Sequence, residues 1–174
     1  YGFNQLSYII NSLAILDILE GQYSIARDKL NNLLKLQHED FTLMALYINM
    51  STCFLKLNMI KEAILMLNKA KSLNIKKENK IPFYAIQIIL VEAYIYLTQK
   101  EYLKAYQKLC EYFNYGLLDR STGILSAKIV LFSLCEKFDF KYPDTLSAFS
   151  GDGDSIAIKM SNNHLVLCDL MFWE

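Results

Sequence analysis

The sequence predicts an all-α fold: an α-solenoid of about three helical hairpins, followed by an additional helix and an irregular C-terminal cap. Three stretches share one pattern, in which a small residue of a first helix precedes a second helix that reads Tyr or Ile-x-x-Ala-x-x-x-Leu. The alanines of these second helices, Ala26, Ala63 and Ala105, are 37 and 42 residues apart. Self-similarity at this period is typical of stacked helical hairpins, because one hairpin cannot bury its apolar face alone.

The first hairpin is predicted from helical spacing of apolar residues and from a glycine between two such runs. Its first helix covers residues 4–20 and ends at Gly21, since glycine favours the C-terminal cap conformation. Its second helix covers residues 23–36. We expect the break between the first two hairpins at His38–Asp40.

The second and third hairpins are bounded by residues that begin or end helices. Asp40 is predicted as the N-cap of a helix over residues 41–57, and Asn58 as its stop, because Asn tolerates the left-handed conformation. Pro82 is predicted to open the third hairpin, since proline suits the first turn of a helix. The paired helices cover residues 61–73 in the second hairpin, and 82–98 with 101–113 in the third.

A seventh helix is predicted over residues 122–138, after a stop at Gly116, and no second-helix pattern follows it. We therefore divide the chain into a helical repeat domain, residues 1–138, and a C-terminal capping segment, residues 139–174. Two interpretations of the segment's end stay open. Residues 155–170 resemble a hairpin with Asn-Asn at its turn, whereas residues 164–173 also suit a closing helix, which we favour because an isolated hairpin needs a packing partner.

The three hairpins resemble tetratricopeptide repeats. The second matches that family's pattern best, with the residues Tyr47, Met50, Ser51, Phe54, Ile60, Ala63, Leu67 and Ala70. In the first hairpin Asp17 stands in place of the family's aromatic residue, and in the third Glu92 replaces a leucine. The resemblance covers residues 4–113 and implies a solenoid whose first helices line a concave, partner-binding groove.

Composition excludes several classes of protein. The chain is 53% hydrophobic, which argues against a disordered tail, and its net charge is zero, which argues against direct nucleic-acid binding. The longest uncharged runs are shorter than the roughly 20 residues that span a bilayer, so no membrane span is predicted. Four cysteines without a C-x-x-C pair suit a reducing, cytoplasmic location, with the nucleus also compatible.

No catalytic pattern is present, so no enzyme, catalytic residue, cofactor or metal site is predicted. The histidines, His38 and His164, have no metal-ligand partner at helical spacing. The Gly151–Asp154 cluster has too few oxygen ligands for a calcium loop and is interpreted as a turn. An i, i+4 pair of His164 and Cys168 would need a third, orienting group for nucleophilic catalysis.

By resemblance, the groove is formed by residues of the first helices. The predicted peptide- or partner-binding residues are Asn11, Ile15, Asn49, Thr52, Lys56, Gln87 and Tyr94. The three carboxamides, 38 residues apart, offer donors and acceptors that suit the main chain of an extended peptide.

Two hypotheses of function follow. The first is a protein- or peptide-binding scaffold, part of a larger protein or a subunit of a complex, with homo-oligomers or hetero-complexes both possible. The second is a peptide-sensing regulatory receptor whose repeats control a separate DNA-binding or effector module. Both hypotheses use the same groove.

Overall fold

The computed structural model describes residues 2–36, 38–76, 82–115 and 123–143, and in these ranges the chain is all-α, with seven helices and no strand. The helices are α1 (Gly2–Leu19), α2 (Tyr23–Leu34), α3 (Asp40–Lys56), α4 (Ile60–Lys76), α5 (Pro82–Thr98), α6 (Tyr102–Tyr115) and α7 (Gly123–Phe138). All seven predicted helices are present, and Pro82 begins α5 as predicted.

One prediction is wrong: Asp40 is the first residue of α3 and not its cap. Glu39 holds the N-cap position, and its side chain makes no capping bond.

The turns that follow α1, α3, α5 and α7 share one backbone conformation. Gly21, Asn58, Lys100 and Asp139 each have a positive φ, of 77°, 58°, 62° and 54°. At the first turn, the N–H of Gly21 donates to the carbonyl three residues earlier and the next N–H to the carbonyl five residues earlier, at 3.0 and 2.7 Å. This is the Schellman arrangement, which satisfies carbonyls that a helix end leaves unpaired. The turns at Asn58 and Lys100 have both of these hydrogen bonds. The turn at Asp139 has the second one, from an N–H to the carbonyl five residues earlier.

The alanine of the repeated pattern occupies the same place after each of the first three turns. The N–H groups of Ala26, Ala63 and Ala105 each donate to the carbonyl of the residue just before the second helix, at 3.0 Å in all three cases. All three side chains are fully buried. The pattern therefore sets the first hydrogen-bonded turn of α2, α4 and α6 and directs a small side chain into the core.

Small residues of the first helices complete the close approach within a hairpin. Ala14, Ser51 and Ala93 are fully buried, like the alanines of the second helices. In the second hairpin, the Ser51 hydroxyl donates to the carbonyl of Ala63 at 2.8 Å. A side chain larger than these would separate the helices, because protein interiors are close-packed.

Each of the first three hairpins also carries a lysine of its second helix beside an acidic or aromatic residue of its first. Lys29 forms an ion pair with Asp17 at 2.6 Å, and Lys108 forms one with Glu92 at 3.1 Å. In the second hairpin, Lys69 lies 5.5 Å from the ring centroid of Tyr47. These contacts join the two helices of each hairpin.

The chain divides into two compact units, Tyr1–Val91 and Glu92–Glu174. In the first unit, α1 packs on α2, α2 on α3 and α3 on α4, and α1 also contacts α3 directly. In the second unit, α6 packs on α7. The predicted division after residue 138 stays a prediction.

Residues 139–143 pack beside α6 and α7. The Tyr106 hydroxyl donates to the carbonyl of Lys141 at 2.6 Å, and its ring lies 4.8 Å from that of Phe140. The Tyr102 ring stacks on Phe138 at 4.4 Å. The turn at Gly151–Asp154, the His164–Cys168 pair and the two interpretations of residues 155–173 lie outside the described residues.

Candidate partner-binding face

Two of the predicted binding residues meet directly. The Asn49 side-chain amide on α3 donates to the Asn11 side-chain oxygen on α1 at 2.9 Å, and both side chains are half-buried. The sequence placed both residues on first helices, 38 positions apart. The amide pair, as we call Asn11 with Asn49, therefore joins the first helices of two successive hairpins.

The amide pair keeps hydrogen-bonding capacity beyond this bond. A carboxamide has two N–H donors and an oxygen with two lone pairs. The Asn49–Asn11 bond uses one donor of Asn49 and one lone pair of Asn11. The remaining N–H groups and lone pairs can bond a ligand whose donors and acceptors alternate, as those of an extended peptide main chain do.

The neighbouring predicted residues differ in accessibility. Ile15, one turn after Asn11 on α1, is half-buried. Thr52 is only 2% exposed, and its hydroxyl donates to the carbonyl of Ile48 at 3.1 Å, within the same helix. Thr52 thus belongs to the core of the first unit and presents no accessible group.

Lys56 is the last residue of α3. Its side chain is half-buried, and its ammonium lies 6.0 Å from the centroid of the Tyr23 ring. A lysine in the last turn of a helix also complements the negative end of the helix dipole. Lys56 places a positive charge near the end of α3, within the same unit as the amide pair.

Gln87 and Tyr94 both lie on α5 but in different units. Gln87 is half-buried in the first unit. Tyr94 belongs to the second unit, where its side chain is 2% exposed. Tyr94 is therefore a core residue of its unit rather than an accessible contact.

The Cys53 thiol on α3 is buried and unreactive. Burial raises the pKa of the Cys53 thiol from 9.0 to about 12, although the positive charge of Arg27 acts in the opposite direction. A thiol with such a pKa stays protonated at neutral pH and is a poor nucleophile. Among the residues that the structure describes, no group of three or more His, Cys, Asp or Glu side chains could hold a metal ion.

Sequence reasoning missed an apolar face on α1. Helical spacing of apolar residues correctly predicted that helix, but it did not show which residues face the core. Among residues 6–19 of α1, whose burial is described, the buried ones are Ser7, Ala14 and Ile18. Four of the large apolar residues that indicated the helix are exposed instead: Ile9, Leu13, Leu16 and Leu19. The available signal was that large apolar residues surround most of α1, more than one core-facing stripe requires, which predicts a second apolar surface.

Comparison of the chain with protein-family models, with curated proteins and with solved structures yields no match. None of the described helices is long and apolar enough to span a membrane.

Proposed function

We propose that this chain is a tetratricopeptide-like solenoid of helical hairpins that acts as a protein- or peptide-binding scaffold. Three observations support the repeat architecture: the shared positive-φ turns, the shared placement of Ala26, Ala63 and Ala105, and the contact of α1 with α3. Contact between two first helices is what a stack of hairpins requires, since each repeat packs against its neighbour.

The amide pair is the observation that carries the binding function. It lies on two adjacent first helices, is half-buried, and retains donors and acceptors after its own bond. Partial burial strengthens a hydrogen bond to a ligand, because less water competes for the groups. Ile15 adds an apolar contact on α1. The ligand class is therefore an extended segment of a protein.

The test begins by selecting ligands from a random peptide library displayed on phage, with the purified chain as the target. We expect selected peptides to bind the chain, and fluorescence polarisation with a labelled peptide to give the affinity. Asn49→Ala should weaken binding roughly 5–150-fold, because it leaves a peptide group unpaired. Asn11→Ala should have a similar effect.

The matched control is Lys61→Ala, an exposed change on α4, which should leave the affinity unchanged. Circular dichroism melts separate binding from folding, since the amide pair also joins α1 to α3. A folded Asn49→Ala variant with wild-type affinity would place the interface on another face. A library that yields no binder would argue against peptide binding altogether.

A further inference from the structure

Helix α1 presents an apolar face that the first unit leaves uncovered. Its centre is the set Leu6, Ile9, Leu13 and Leu16, here called the α1 seam, whose members are between 45% and 54% exposed. Tyr8 and Leu19 flank the α1 seam and are also exposed. The residues that α1 buries lie on its opposite side. Exposed large apolar residues in such a row mark an interaction surface, whereas scattered ones need no explanation.

The spacing of the α1 seam matches the contact face of paired helices. Steps of three, four and three residues are the a and d positions of a heptad repeat, whose side chains interlock between two helices. This order of steps is the same in both directions along the helix. Two copies of α1 in antiparallel orientation therefore align Leu6 with Leu16 and Ile9 with Leu13. The α1 seam is complementary to itself.

Charge favours the same antiparallel arrangement. Residues 2–16 contain no charged side chain, so two copies of this surface do not repel each other. Asp17, just beyond the α1 seam, is neutralised by Lys29. The exposed Glu20 follows the end of α1. Antiparallel docking keeps the two Glu20 side chains at opposite ends of the contact, whereas parallel helices would place these like charges together.

The area of the exposed face approaches what a dimer interface of standard size needs. The α1 seam with Tyr8 and Leu19 offers on the order of 500 Å² of apolar side-chain surface per molecule. A standard interface buries about 800 Å² per partner, and homodimer interfaces are about 65% apolar. The apolar area that such an interface needs is therefore close to what α1 exposes.

We infer that the occupant of the α1 seam is a second copy of this chain, docked antiparallel through α1 in a two-fold symmetric dimer. An isologous contact of this kind closes on itself and leaves no unpaired copy of the surface. The α1 seam excludes Asn11 and Ile15, so dimer formation and peptide binding use different residues and can be tested separately.

The test measures the mass of the chain by sedimentation velocity over a concentration series. The dimer has about twice the 20.2 kDa of one chain. Ile9→Lys and Leu13→Glu each place an unpaired charge against an apolar residue of the other copy, and each should weaken dimerisation roughly 100-fold or more. Leu65→Glu is the matched control, since Leu65 is equally exposed but lies on α4. This variant should remain dimeric, and far-UV circular dichroism should show that all variants are helical.

Mixing the two charged variants tests the orientation. In an antiparallel dimer, the lysine of Ile9→Lys meets the glutamate of Leu13→Glu, and the other facing pair remains apolar. The mixture should therefore form a heterodimer that neither variant forms alone. A monomeric wild-type chain would overturn the proposal, as would charged variants that dimerise like wild type. A mixture that stays monomeric would overturn the antiparallel docking.

Discussion

Asp17 and Glu92 depart from the repeat pattern, and each is paired with a lysine of its own hairpin. Their side chains are only 13% and 15% exposed, so an isolated charge at either position would be costly. Lys29 and Lys108 neutralise them across the hairpin. The repeat pattern could not predict these pairs, because it fixes the size of a core residue and not the charge facing it.

The ion pair between Asp17 and Lys29 should contribute measurably to stability. We expect a double-mutant cycle with Asp17→Ala and Lys29→Ala to give a coupling free energy of about 1 kcal/mol, since the carboxylate is mostly shielded from water. Urea melts of the four proteins give this value. The pair of Arg27 and Asp28, which is more exposed, is the control and should couple more weakly. Equal coupling in both pairs would show that burial does not strengthen the first.

The Cys53 thiol should resist alkylation while the protein is folded. With a pKa of about 12 instead of 9.0, its thiolate fraction at pH 8 falls about 1000-fold, and the rate of reaction with iodoacetamide should fall at least as far. Because the folded pKa is the higher one, this thiol favours the folded state below about pH 9, and the benefit is lost as the pH rises towards 12. Mass spectrometry of the labelled peptide measures the rate. A native rate close to that in urea would contradict the burial of Cys53.

The turns show how one backbone conformation is reached by different residues. Gly21 and Asn58 were predictable helix stops, since both residue types favour positive φ. Asp139 belongs to a residue type that adopts this conformation occasionally, whereas Lys100 adopts it without a comparable signal. Lys100 stands two residues before Tyr102, as Gly21 does before Tyr23, but a lysine by itself indicates no turn.

Lys100→Gly should stabilise the protein by about 0.5–1 kcal/mol. A left-handed conformation costs an ordinary L-residue about 1–2 kcal/mol, and the greater freedom of glycine in the unfolded chain offsets part of the gain. The free energy of unfolding from urea melts measures the change. Gln99→Gly is the control and should destabilise the protein. Gln99 does not have a positive φ, so glycine brings no conformational gain there and only adds freedom to the unfolded chain. A destabilising Lys100→Gly would mean that the lysine side chain contributes more than the turn conformation costs.

Ala63→Leu should cost about 1–3 kcal/mol by overpacking the crossing of α3 and α4. Ala63 is fully buried, and its carbonyl accepts the hydrogen bond from Ser51. Denaturant melts give the difference in free energy of unfolding. Lys61→Ala, an exposed change two residues earlier, should cost under about 0.5 kcal/mol. Similar costs for the two variants would contradict the close approach of the helices.

For the molecule as a whole, the positions of the helices were predictable from the sequence, but the side of each helix that is buried was not. Small residues, stop residues and Pro82 predicted all seven helices to within three residues at each end. Thr52 and Tyr94 were predicted as binding residues, and the structure buries both side chains. A repeat pattern assigns a residue to a helix but does not show how deeply neighbouring residues cover it. The spacing of apolar residues predicted helix α1, but it did not distinguish the exposed apolar face of α1 from the buried one.

The central claim is that an extended peptide binds the face formed by α1 and α3. The most direct test is an NMR titration of the ¹⁵N-labelled chain with a peptide selected from the library. The side-chain amide signals of Asn11 and Asn49 should shift together with the backbone signals around Ile15, because those groups would exchange water for the peptide main chain. Shifts confined to the second helices, around Ile25, Leu65 and Leu103, would contradict the claim.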